Sequence, residues 1–145
     1  MEQEILDNQP PTGKIFKDRA IYVGTFLGGP LVAGYMIAEN YKVFGEPEKV
    51  SKTWIYTILF TLVLFGIIFF MPGIEKVPNV LFPLLYTLAA YYTVQQLQGP
   101  QMNNHKNSGG QLHSWGRILG IGAIGLVIIV VWVALIVIAI DLLKG

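Results

Sequence analysis

The sequence predicts an all-α membrane protein: four transmembrane helices in an antiparallel bundle, the first of them kinked at Gly28-Gly29-Pro30. Three observations carry that prediction. Residues 55–71, 80–97 and 118–140 hold no charged side chain, and those lengths approach or exceed the ~20 residues a bilayer core asks of a helix. Charged residues make up only 13% of the chain, about half the share usual in a soluble domain, so charge has been cleared from whole blocks rather than thinned evenly. A fourth apolar segment, 20–38, contains Phe26-Leu27-Gly28-Gly29-Pro30-Leu31. Such a run weakens a soluble helix, but small residues let membrane helices touch, and neighbours can re-satisfy the freed backbone.

Residues 1–19 read as a flexible polar tail followed by an interfacial segment. Glu2, Glu4 and Asp7 precede Pro10-Pro11 and Gly13; Lys14, Lys17 and Arg19 flank the point of insertion, with Ile15 and Phe16 in the interface. Residues 20–144 form one transmembrane domain. Its first span, 20–38, measures about 28 Å, just enough to cross, and reads as a retained anchor rather than a cleaved signal. Pro30 at its midpoint offers no N–H to the Phe26 carbonyl and crowds it, hence the kink. Glu39, Asn40, Tyr41 and Lys42 carry the helix on into water until Phe44-Gly45, where Gly45 fits the C′ position. Pro47 then opens the second helix, supported by a Glu48–Lys52 pair, and Pro72-Gly73 ends its span, 53–71.

The short connection makes span three, 78–98, antiparallel to span two. Pro78 starts it, Pro83 bends it one turn in, and Gly99-Pro100 close it. An amide-rich loop, 101–113, carries His105 and His113. Ser114 caps the last helix, 115–141, with Trp115 and Arg117 at the interface. Its apolar run of ~35 Å exceeds the core thickness, so it tilts. Four spans put both termini on one side. Lysine and arginine then divide five against five between the faces, and cytoplasmic termini rest on a general prior alone.

The small residues predict how the bundle closes. Ala20, Gly24 and Gly28 recur every four positions, Gly29 with Ala33 and Gly34 with Ala38 repeat the spacing, and Gly116 and Gly120 do the same in span four, with Gly122, Ala123 and Gly125 beyond. Spans one and four are expected to pack together through these positions. A homo-oligomer seam is the alternative, and a broken helix holding an ion or substrate at mid-membrane a third reading. No charge accompanies the break: Glu39 and Asp141 sit at span ends, whereas ion-coupled carriers generally keep a charge inside.

Glu39, Tyr91, Gln95, Gln96, His105, His113 and Arg117 make a candidate polar face. The two histidines lack a third ligand for a metal. With no cysteine, no paired carboxylates, no Ser-His-Asp set and no phosphate loop, no catalytic residue, cofactor or metal is assigned. A net charge of +1 gives no reason to expect nucleic acid. The expectation is a non-enzymatic multi-pass protein of the cell (inner) membrane that works by helix contact. It would serve as an accessory or scaffold subunit or associate with itself, its partners being the lipid bilayer and membrane proteins. The alternative is a small oligomeric transporter or channel lined by span one and the polar half of span three. An enzyme acting on a lipid or quinone comes third, and needs Glu39, His105, His113 and Arg117 to converge.

Phe26-Leu27-Gly28-Gly29-Pro30-Leu31, continuing through Ala33-Gly34, Asn40-Tyr41-Lys42 and Phe44-Gly45, resembles a group of uncharacterised small bacterial multi-pass membrane proteins. Ser114-Trp115 followed by Leu119-Gly120-Ile121-Gly122 looks like the start of their last helix. The resemblance implies a bacterial cell membrane and no particular activity.

Overall fold

The computed structural model describes residues 11–145; the first ten residues of the expected tail lie outside them. In chain order the elements are β1 (Lys14–Ile15), α1 (Asp18–Gly28), α2 (Pro30–Val43), α3 (Glu48–Phe70), α4 (Leu81–Asn107), β2 (Gln111–Leu112) and α5 (Trp115–Lys144), with a 3-10 turn, Ile74–Lys76, between α3 and α4. The fold is all-α. Two of the helices, α3 and α5, are long and apolar enough to cross a membrane.

The first segment departs most from expectation. Residues 20–38 are not one kinked helix but parts of two helices folded back on each other. Gly29 has φ +79° and ψ −174°, a backbone that essentially only glycine adopts. Pro30 is the first residue of α2, where its missing N–H costs nothing and its ring presets the helical φ. The proline therefore begins a helix instead of bending one. The Asn40 side chain bonds the backbone of Phe16, 24 positions earlier; on a straight helix those residues would stand ~36 Å apart. With 11 and 14 residues, α1 and α2 are about 16 and 21 Å long, each short of a ~30 Å core.

This hairpin is the hub of the bundle. α5 runs parallel to α1, α4 runs antiparallel to α1, and α3 lies antiparallel on α2. The three longer helices scarcely touch one another; the Phe65 ring of α3 meets Trp132 of α5 edge-on at 5.4 Å. Chain direction then fixes the ends. The segment before α1, the α2–α3 turn and the α4–α5 loop gather at the open mouth of the hairpin, and the α3–α4 connection and Gly145 lie at the far end. The described chain, where same-side termini were expected, thus starts and finishes at opposite ends of the bundle. Lys14 and Gly145 stand at opposite ends of the 30-residue α5, about 45 Å apart along its axis.

Other boundaries divide between agreement and correction. α2 runs on past residue 38 and ends at Val43, with Gly45 at φ +73° and the Glu46 N–H donating to the Tyr41 carbonyl at 2.9 Å, the capped stop that Phe44-Gly45 predicts. Ser114 caps α5 by accepting from the Arg117 N–H. Lys42–Glu39 and Lys49–Glu46 form the surface ion pairs here, in place of Glu48–Lys52. Gly99-Pro100 does not close α4: the helix continues through Pro100 to Asn107. Pro83 sits in the first turn of α4, where no intrahelical partner is lost. Ile15 and Phe16 are fully buried instead of interfacial. They are held by the parallel β1–β2 pair, Lys14 beside Gln111 and Ile15 beside Leu112.

Candidate functional site at the hairpin

Glycine makes the hairpin possible by letting backbones touch. A Cβ on Gly28 would stand 2.7 Å from the Gly122 carbonyl, and Gly125 lies against the Gly28 carbonyl in turn, so α1 and α5 meet backbone to backbone, with Leu27 and Val32 packed at the edges of the contact. Gly24 is roofed by Met36 and Val32 of α2, Gly29 faces the Ile129 side chain, and Gly34 receives the Thr57 side chain of α3. Pro30 and Ala33 are buried beside them. Gly116 and Gly120 have open space around their Cα atoms; Gly122 and Gly125, on the inward face of the same helix, make the close approach. Ile129 is the middle residue of the charge-free run 118–140. The tip of the hairpin therefore stops level with the midpoint of the longest apolar helix.

The mouth is closed by a polar clamp. Asn40, fully buried, accepts from the Phe16 N–H at 2.7 Å. Its amide donates to the Phe16 carbonyl at 2.7 Å and to Gln98 Oε1 at 3.1 Å. Gln98, also fully buried, donates to the Ile37 carbonyl at 3.0 Å. One side-chain pair thus ties the chain before α1, the end of α2 and the middle of α4, and each amide is engaged through both its oxygen and its nitrogen. Around it, Glu46 accepts from Gln101 and pairs with Lys49, which hold the Glu46 carboxyl below its usual range; the Lys49 ammonium stands 5.4 Å from the Tyr41 ring centre.

The residues of the expected polar face do not form one site. Gln95 donates to Asp18 at 2.5 Å and to the Tyr91 hydroxyl at 3.3 Å, and Tyr91 meets Tyr22 edge-on. Gln96 is exposed on the opposite side of the same turn. His105 is buried against Phe44, its Nε2 3.1 Å from the Gln111 carbonyl. His113 stacks on Phe16 with ring centres 4.0 Å apart. Partial burial and then the nearby Arg117 and Lys14 cations lower its pKa, with Glu39 opposing them. Glu39 itself pairs with Lys42 at 2.5 Å. Among the described residues no three of His, Asp and Glu converge as metal ligands.

Asn40 and Gln98 escaped the sequence reading, which took Asn40 as solvated and singled out Gln95 and Gln96. The signal lies in α4: Val94, Gln98, Met102 and His105 follow at helical spacing on one buried stripe that runs straight through Pro100. Two clefts flank α2. One, about 220 Å³, lies between α3 and α4 and is bordered by Pro30, Ala33, Gly34 and Ile37 of α2. The other, about 470 Å³, lies between α3 and α5 and is lined by Leu31, Tyr35, Trp54 and Ile128 among others. No protein family, no curated protein and no solved structure matches this chain.

Proposed function

We propose that the chain is a polytopic protein of a bacterial cell membrane in which α3, α4 and α5 cross the bilayer and the α1–α2 hairpin re-enters from one side to mid-depth. It works by contact, as an accessory subunit or by self-association, and not by moving a solute. The observation that carries this reading is the hairpin itself. Backbone-to-backbone glycine contacts fill the bundle at the tip, and a satisfied amide clamp fills it at the mouth. Both ends of the hairpin are thus taken up by packing, while most of α3 and α5 faces outward. Outward apolar faces of this extent suit lipid or another membrane protein. Chemical cross-linking in native membranes followed by mild-detergent purification should give a homo-oligomer or a co-purifying membrane protein. A species that stays monomeric and alone in both would refute the contact role.

The fold-back also changes the charge balance. Lys14, Lys17, Arg19, Lys42, Lys49, Lys52, Lys106 and Arg117 lie at the mouth end; Lys76 and Lys144 lie at the other. An excess of lysine and arginine marks the cytoplasmic side, and this supports a reading with the mouth inside and Gly145 outside. The chain has no cysteine, so single cysteines can report on side. In intact cells a membrane-impermeant maleimide should label Glu75→Cys. It should reach Thr12→Cys, Glu48→Cys and Ser108→Cys only after permeabilisation. Labelling of Thr12→Cys and Glu48→Cys from opposite sides would mean that the first segment crosses, and would sink the hairpin topology.

A further inference from the structure

We propose that the cleft between α3 and α4 binds the head ring of a lipid-soluble quinone, with the isoprenoid tail running out into the bilayer. The inference rests on the membrane placement above and goes beyond it by assigning a ligand. The cleft exists because its floor and one wall are built small, from Ala33 on α2 and Ala89 and Ala90 on α4, while Gly34 lets Thr57 of α3 sit back against α2. Its free volume is about 220 Å³, while a cavity of roughly 150 Å³ already admits benzene, so a substituted six-membered ring fits. Because α3 and α4 scarcely touch, the side between them is unsealed, and a tail can leave there without displacing a helix.

The lining selects the chemistry. It contains no Asp, Glu, Lys, Arg or His, so an ionised ligand would leave water with no counter-charge to meet it. It does contain hydroxyl side chains: Tyr86 and Thr93 on α4, with Tyr56 largely exposed at the rim and Thr57 packed on Gly34. No hydrogen bond among the described residues uses any of those four hydroxyls. Spare donors beside a hydrocarbon solvent ask for a neutral ligand with acceptor oxygens, as a quinone's ring carbonyls are. The aromatic rings of Tyr56, Phe60 and Tyr86 along the same walls favour a flat ring over the open chain of a glyceride. Nothing here requires turnover; the proposal is of binding.

The test uses the full chain in nanodiscs and a benzoquinone carrying a two-isoprene tail, with binding measured above its partition into empty discs. Saturable binding is expected. Tyr86→Phe with Thr93→Val keeps the shape and removes two donors, and should weaken binding by about ten-fold or more. Ala90→Leu should abolish binding by filling the cleft; if that variant does not fold, the hydroxyl pair decides. Dioctanoylglycerol at equal concentration should leave the quinone bound. Three results would each overturn the proposal: no binding above empty discs, a double variant that binds like the parent, or displacement by the diglyceride. A protein that never enters the discs would instead refute the membrane placement.

Discussion

Gly29→Ala should destabilise the protein severely, and Pro30→Ala should barely affect it. An alanine at the positive φ and extended ψ of Gly29 carries backbone strain of about 1–3 kcal/mol. Its Cβ also runs into the Ile129 side chain, where overpacking adds about 1–3 kcal/mol more unless that flexible end gives way. A loss of roughly 2–5 kcal/mol is a large part of the 5–15 kcal/mol that folded proteins command. Pro30 occupies a position whose N–H has no helical partner, so alanine there forfeits only the preset φ, worth about 1 kcal/mol or less. The comparison has a built-in control of sign. Were 20–38 a single kinked helix, Gly29→Ala would stabilise it by up to about 1 kcal/mol, and Pro30→Ala would straighten it. Unfolding in detergent, followed by circular dichroism against a denaturing surfactant, separates the two cases. A Gly29→Ala protein at least as stable as the parent would dismiss the hairpin.

The second large effect should come from the mouth. Asn40→Leu is close in size but removes every bond of the clamp made by that side chain. It leaves the Phe16 N–H, the Phe16 carbonyl and Gln98 Oε1 buried without a protein partner. Stranding a buried polar group costs about 1–3 kcal/mol, so three of them bring the expected loss to roughly 3–9 kcal/mol, less whatever water recovers. Gln98→Leu should cost less, because Asn40 keeps both bonds to Phe16, the Ile37 carbonyl keeps its bond within α2, and only one Asn40 donor is stranded. The phenotype should also be local. With the clamp gone, β1 and Phe16 lose their anchorage, and a protease should cut after Lys14 or Lys17 far sooner in Asn40→Leu than in the parent. Equal cleavage rates and equal stability would show that the clamp is incidental.

What could be read from residues alone followed the strength of the competing forces. The charge-free blocks that form α3 and α5 are long enough to read as helices without tertiary information, and Gly45 and Ser114 act locally, so the stops and caps are legible. Residues 20–38 are ambiguous for a physical reason: one long helix and two short helices folded back on each other contain the same apolar residues. Only the backbone angle at Gly29 and the distant bond from Asn40 to Phe16 separate them. Gly99-Pro100 misled because a breaker signal is local, whereas Gln98, Met102 and His105 are held by tertiary contacts that carry the helix past it. The carbonyl that Pro100 leaves free belongs to Gln96, which is exposed, so an outside donor can reach it. The charge balance was illegible as a consequence, since five against five becomes eight against two once the first segment folds back. As for the polar face, residue type identified Gln95 and His113 as notable, but which of them converge depends on register between helices more than seventy positions apart.

The central hairpin has a bearing on how the fold closes. α1 comes before α4 and α5 in the chain, yet the surface it packs against belongs to those two helices. Gly28 meets Gly122 and Gly125, and closing contacts across roughly a hundred residues is slow. Until α5 has formed, the glycine face of α1 has no partner, and until α1 docks, the Gly122–Gly125 surface of α5 stays open. The turn at Gly28-Gly29-Pro30 is therefore expected to be the last part of the fold to lock.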